Sequence, residues 1–314
     1  MQLCVNTVKK VHYFNWERMV MVGKSEVRIR IIAHIVMILL SIFAVLPFVL
    51  LISASLTEEK AALNYGFNFI PKVFSMDAYV YIMRQRNMIF RAYAITIFTT
   101  VIGTGAGLVI TALLGYGLTK DIPGKRFFDF FVVFTMLFHG GLVPTYLIYT
   151  KYLHIANTIW ALIIPSLLVN AFNVMLMRNY FFTSIPESLL ESAKLDGAGE
   201  MQIFRLIVLP LSKPIMATIG LMTALGYWNN WTNGLYYLDD TSLYSIQNVL
   251  NAINNNITAL TSIAGSGLSI NKSDIPALTA RMAIAVVGIL PMLCIYPFFQ
   301  KYFVKGITIG AVKG

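Results

Sequence analysis

Six apolar stretches, each long enough to cross a lipid bilayer, alternate with short charged segments along this chain. They lie at approximately 31–56, 92–119, 127–149, 158–178, 206–228 and 279–303. A spanning helix needs about 20 apolar residues. Inside the hydrocarbon every backbone N–H and C=O has to find a partner within the protein, which restricts the chain to helices or a closed barrel. Runs this long and continuous read as helices. With 57% hydrophobic and 12% charged residues, a soluble globule is excluded. The expected fold is an all-α integral membrane protein of six transmembrane helices, with kinks in the third and fourth at His139-Gly-Gly-Leu-Val-Pro144 and Pro165.

Orientation follows from the lysines and arginines. Placing the N-terminus inside puts most of the 24 on the cytoplasmic side. These include Lys9, Lys10, Arg18, Lys24, Arg28 and Arg30 before the first span, and Lys120, Lys125 and Arg126 between the second and third. Arg178, Lys194, Arg205 and Lys213 follow, then Lys301, Lys305 and Lys313 at the end. Both termini are therefore expected in the cytoplasm. This distribution accounts for the net charge of +10 better than nucleic-acid binding does. Lys60, Lys72, Arg84, Arg86 and Arg91 fall in the first external loop, read either as a folded segment or as a contact for a partner or acidic solute. Cys4 and Cys294 are too far apart in this topology to form a bridge, and they offer no metal site.

One cytoplasmic segment carries more charge than its neighbours. Glu187, Glu191, Lys194, Asp196, Glu200 and Arg205 crowd between the fourth and fifth spans. Near the bilayer centre each would cost about 2.5–3.5 kcal/mol, so the segment lies in water. Ser184-Ile-Pro-Glu187 reads as a capping box with a proline in the first turn. Leu189, Leu190 and Ala193 share one apolar face, and Gly197 after Asp196 is a natural stop. A short amphipathic helix at about 184–198, projecting into water, suits docking to an aqueous partner.

Glu191-Ser-Ala-Lys-Leu-Asp-Gly-Ala198, followed by Leu209-Pro-Leu-Ser-Lys-Pro214, resembles the EAA loop of ABC-importer permeases, with Ser192 where the family commonly has alanine. Gly140-Gly-Leu-Val-Pro-Thr-Tyr146, Met177-Arg-Asn-Tyr180, Trp228-Asn229 and the ending Phe303-Val-Lys-Gly-Ile-Thr-Ile-Gly-Ala-Val-Lys-Gly314 extend the likeness, which is strongest to the carbohydrate-uptake group for maltose-like and pectin oligosaccharides. The resemblance implies one of two permease subunits in a bacterial plasma membrane. Its partners would be a second permease, a cytoplasmic ATPase dimer that binds ATP and Mg, and an extracellular solute-binding protein. It also implies that Glu187 and Glu191 belong to a coupling helix held in shape by Glu191, Asp196 and Gly197. Leu189, Leu190 and Ala193 would meet the ATPase cleft. A permease for a non-sugar solute and an ATP-independent carrier are the alternatives.

The chain has no G-x-x-x-x-G-K-[ST] phosphate loop, so no cofactor is expected in it and it is read as a transport subunit rather than an enzyme. Gly103 and Gly107 read as a small-residue face for close helix approach. His139 reads as a neutral histidine filling a polar kink beside Gly140. Asn170 and Asn173, one turn apart, either bond neighbouring helices or line a polar path. Trp228, Asn229 and Asn230 end the fifth span, as an interfacial belt or as groups for sugar rings and hydroxyls. Three regions follow: an N-terminal extension over 1–30, a permease domain over 31–303 and a cytoplasmic tail over 304–314. The polar stretch 229–278 reads as an external loop that, by resemblance, reaches the binding protein.

Overall fold

A computed structural model describes residues 24–265 and 276–311. Most of the N-terminal extension with Cys4, part of the 229–278 stretch and the last three residues lie outside them. The chain is helical: α1 (Lys24–Ser55), α2 (Glu59–Tyr65), α3 (Asp77–Met83), α4 (Arg86–Gly117), α5 (Lys125–Leu137), α6 (Leu142–Leu147) and α7 (Trp160–Ile163) form the first half. α8 (Ala171–Ser184), α9 (Glu187–Leu195), α10 (Glu200–Ile203), α11 (Leu209–Leu211), α12 (Lys213–Asn229), α13 (Thr232–Tyr237), α14 (Ile246–Gly265) and α15 (Ala277–Ala311) complete it.

Among the described residues, three helices are long and apolar enough to cross a membrane unbroken, at Arg28–Ser55, Arg86–Gly117 and Ala277–Cys294. Two bent pairs bring the number to as many as five. Lys125–Leu137 and Leu142–Tyr152 meet at 114°, far more than a kink. Phe138 is extended and Gly141 sits at φ +85°, ψ 168°, a conformation that L side chains rarely adopt. His139 is exposed in this break. Glu200–Leu211 and Lys213–Asn229 meet at 79°, where Pro210 and Pro214 each remove a helical N–H on either side of Ser212.

The fourth expected span, 158–178, is not a single helix. Only one turn forms at Trp160–Ile163, Pro165 disfavours helical backbone before it, and Ser166 is left-handed at φ +63°. Helix resumes at Ala171 and runs past the expected end to Ser184. The carbonyls freed by the break are taken up by protein groups. Tyr227 Oη donates to the Ile163 carbonyl at 2.8 Å and Asn233 Nδ2 donates to that of Pro165 at 3.0 Å. Irregular backbone at membrane depth survives only with such partners.

The described part of the stretch 229–278 is mostly helix rather than open loop. In α14, Ile246, Val249, Leu250, Ile253 and Ile257 recur at helical spacing and are buried, against Ala78 and Ile82 of α3 and Ala280, Ala283 and Ile284 of α15. Helical structure in α15 continues to Ala311, through the position where a separate tail was expected to begin. The segment expected as the first external loop is folded as well. Its Glu59 is buried and accepts from the N–H groups of Leu278 and Thr279 at 2.9 and 3.0 Å, and from Thr279 Oγ1 at 2.8 Å. A carboxylate from α2 thus caps the N-terminus of α15, where exposed amides and the helix dipole favour negative charge.

The helices pack around α4, which lies against α8 and α12, while α15 contacts α1 and α12. Small residues on α4 allow this. A Cβ at Gly103 would collide with the hydroxyl-bearing end of the Tyr227 ring, and one at Gly107 would come within 2.9 Å of the Leu168 carbonyl oxygen. Two clusters occupy opposite ends of α4 and α12. One joins α3, α14, α15 and Trp228; the other joins Ala112, Tyr116, Met177, Phe181, Phe204 and Val208.

Candidate functional site

The charged helix forms where the sequence places it, but its start and its inner face differ from expectation. Ser184 is still the last residue of α8, so it cannot cap α9. The cap position is Pro186, extended at φ −63°, ψ 130°, with no side-chain cap bond. The C-terminal end matches the reading. Gly197 takes φ +80° with open space around it, so backbone conformation rather than crowding demands glycine. Its N–H donates to Lys194 O at 3.0 Å and that of Ala198 donates to Ala193 O at 3.0 Å, the paired closure of a Schellman turn.

Leu190 and Ala193 are half-buried against the Tyr116–Phe204 cluster of this same chain, so they seat the helix rather than face outward. Leu189 is exposed, and Leu195 and Met201 are more so at 89% and 66%. Leu195 and Met201 were missed because they flank the turn at Gly197 and fall outside any helical stripe. The outward apolar surface therefore consists of Leu189, Leu195 and Met201.

Glu200 holds the segment in place. Its carboxylate accepts from Tyr116 Oη at 2.6 Å and pairs with Lys120 Nζ at 2.9 Å and Lys194 Nζ at 3.1 Å. The Tyr116 hydroxyl and the Lys120 ammonium are the chief causes that hold its carboxyl down at about 2, with Lys194 adding to them. One residue thus ties α9 and α10 to the end of α4. The carboxylates expected to shape the helix, Glu191 and Asp196, are exposed. Glu187 and Glu191 line, with Lys120 and Glu200, a cavity of about 650 Å³ between α9 and the ends of α4 and α8. Nearby, Arg178 Nη2 lies 3.4 Å from Asp129 Oδ2 and Nε donates to Leu118 O at 3.3 Å, fastening α8 to α5 and α4.

At the other end of α12, the candidate path residues separate into different environments. Asn170 caps α8, its Oδ1 accepting from Asn173 N at 3.2 Å, and buried Asn173 reaches Thr223 Oγ1 of α12 at 3.5 Å. Asn230 Oδ1 accepts from Asn233 N at 3.0 Å, holding the start of α13. Trp228 is 3% exposed, its Nε1 donating to Gly288 O at 3.3 Å, so its indole is a core group rather than part of an interfacial belt. Asn229 alone among these five lines a wide cavity, together with Trp231, Gln247, Asn251, Asn254 and Arg281.

Comparison with known proteins follows the same lines. Residues 103–309 match the family described as binding-protein-dependent transport system inner membrane component. The polygalacturonan/rhamnogalacturonan transport system permease protein YtcP of Bacillus subtilis (strain 168) is 41% identical over 285 residues, 88% of this chain and 96% of that protein. Protein LplC of the same organism is 39% identical, over 86% of this chain and 90% of its own length. Among solved structures, the crystal structure of a bacterial ABC transporter involved in import of the acidic polysaccharide alginate contains a chain with a TM-score of 0.73 and 31% identity, covering 90% of this chain and 99% of that one. A helical membrane architecture, a charged helix tethered to a spanning helix and these matches over most of the length place the chain in the binding-protein-dependent transport system inner membrane component family.

Proposed function

We propose that this chain is one of two membrane-spanning subunits of a bacterial ABC importer for an oligosaccharide, working in the plasma membrane with an ATPase dimer and an extracellular solute-binding protein. The observation that carries this reading is α9 with its Glu200 tether. A short helix whose outer side shows Leu189 and Leu195 is linked through one carboxylate to the end of α4. A push on α9 by an ATPase subunit would reach the spans as movement of a rigid body, because the Tyr116–Phe204 cluster packs behind the helix. The chain supplies the moving wall, and the partner ATPase supplies ATP and Mg chemistry.

Six crossings with both termini inside fit this scheme if the turn at Trp160, the extended residues after Pro165 and α8 together make the fourth. The names of the relatives, with polygalacturonan and alginate among them, support a saccharide as the solute. The test is ATP turnover and subunit recovery of the complex captured through a tag on this chain. Leu195→Asp and Gly197→Asp are expected to detach the ATPase or abolish solute-stimulated hydrolysis, while Leu153→Asp, an exposed position remote from α9, leaves both intact. Unchanged assembly and turnover in the first two variants would end the coupling assignment.

A further inference from the structure

The cavity lined by Asn229, about 700 Å³ and at the outer end in the proposed orientation, is mostly apolar but carries a polar group of Asn229, Gln247, Asn251, Asn254 and Arg281 that the coupling scheme does not use. It is formed by Phe48 of α1, the end of α12, Trp231, α14 and α15. α14 has two working faces. While Ile246, Val249 and Ile253 enter the core, Gln247, Asn251 and Asn254, spaced four and three apart, line the cavity. Across from them on α15, Arg281, Ala285 and Gly288 repeat the same spacing, and the two small residues leave the space open. Filling it has little tolerance, since a Cβ on Gly288 would lie 3.1 Å from Leu250 Cδ1.

Among the described residues, Arg281 is the one cation in this lining, and no Asp or Glu lines it. Its Nη2 donates to Thr258 Oγ1 at 3.0 Å, its Nε is buried without a hydrogen-bond partner, and no salt bridge to it occurs among the described residues. An arginine that merely snorkels to the interface puts its whole head group in water. Here the guanidinium is partly desolvated and retains unused donors, which is unfavourable until an anion takes them. The neighbouring amides offer donors and acceptors for hydroxyls, and the Trp231 ring offers a face for C–H groups.

We propose that Arg281, with Asn229, Asn251 and Asn254, forms a subsite at the outer mouth that takes the carboxylate of a uronate residue in a passing oligosaccharide. The chain then favours acidic over neutral saccharides independently of its binding protein. This rests on the carbohydrate reading above. A planar guanidinium matches a carboxylate in two parallel hydrogen bonds, and neither an amide nor a neutral hydroxyl replaces that pairing.

The test uses the whole importer complex in proteoliposomes at saturating binding protein, with trigalacturonate and neutral galactotriose as probes. Because a change in this chain leaves the binding protein untouched, a change in the uptake ratio reports on the permease. Arg281→Gln is expected to lower trigalacturonate uptake relative to galactotriose by about tenfold, as loss of a charge-assisted pair implies. Arg281→Lys is expected to restore part of that preference. Equal loss for both sugars, or no change for either, would overturn the subsite and leave the carbohydrate reading standing. An Arg281→Gln effect that follows the anionic phospholipid content of the vesicle, with the sugar ratio unchanged, would assign the guanidinium to a headgroup and also overturn it. If the unmodified complex imports neither probe, the carbohydrate reading fails and the subsite falls with it.

Discussion

Single residues in this chain divide into those that permit a backbone path and those that hold it. Gly197 permits one: at φ +80° an alanine costs on the order of 1–2 kcal/mol. Gly197→Ala is therefore expected to leave the complex assembled but to weaken solute-stimulated ATP turnover, as a turnover assay on the captured complex would measure. Glu200 holds one. Its carboxyl lies near 2 in the fold against an ordinary 4.5, so the charged form is the one the fold favours. The tether is present above pH 4.5 and is lost as pH falls from there through about 2. Half-exposed as it is, Glu200 contributes modestly, because solvent screens its ion pairs. Protease cleavage within 187–205 is expected to accelerate over that interval, and Glu200→Gln is expected to be cleaved readily at neutral pH with no acid step. A coupling segment equally resistant in the variant would show that Glu200 does not hold it.

At the scale of elements, α14 and α15 depend on contacts from distant parts of the chain. Glu59 closes the N-terminus of α15 from more than two hundred residues away in sequence. Glu59→Ala leaves two N–H groups unpaired, and each buried orphan costs about 1–3 kcal/mol. A fall in the thermal unfolding midpoint in detergent is expected, with Glu59→Gln intermediate because its amide oxygen still accepts. Ile253, 1% exposed in α14, is a second probe. Ile253→Ala is expected to destabilise by about 2–5 kcal/mol, as for other large-to-small core changes, whereas Asn255→Ala on the exposed side should stay within about 0.5 kcal/mol. If unfolding showed the two equivalent, α14 would not be packed on α15 in solution.

For the whole molecule, the long apolar sides of α1 and α5 face outward. Phe43 is 77% exposed, and Phe127 and Phe130 of α5 are both 65% exposed, so lipid or a second subunit covers them in the membrane. The proposed orientation sets the coupling segment and the outer cavity on opposite sides, at the two ends of α12. Single cysteines in a chain whose own cysteines are replaced would check it. Leu195→Cys is expected to react with a membrane-impermeant maleimide only in inverted vesicles, and Asp240→Cys only in intact cells. Labelling of both from one side would overturn the topology.

Composition and spacing determined the apolar surroundings, the helical class and the existence of the short charged helix α9, because apolar length, charge placement and a left-handed glycine act locally. The packing of Gly103 and Gly107 was legible for the same reason, since a small residue every fourth position marks a close helix contact whatever the partner. The apolar repeat at 246, 249, 250, 253 and 257 was also present, but asparagines on the opposite side masked it and the stretch read as a loop. What only the tertiary structure decided depends on partners distant in sequence. Glu200 finds Tyr116 across 84 positions, which inverts the expected roles of Glu191 and Asp196. The broken fourth span survives because Tyr227 and Asn233 supply the hydrogen bonds it lost. Trp228 goes inward and Asn229 outward only once α15 lies beside α12, since neighbouring residues on a helix point about 100° apart and the neighbour chooses which is buried.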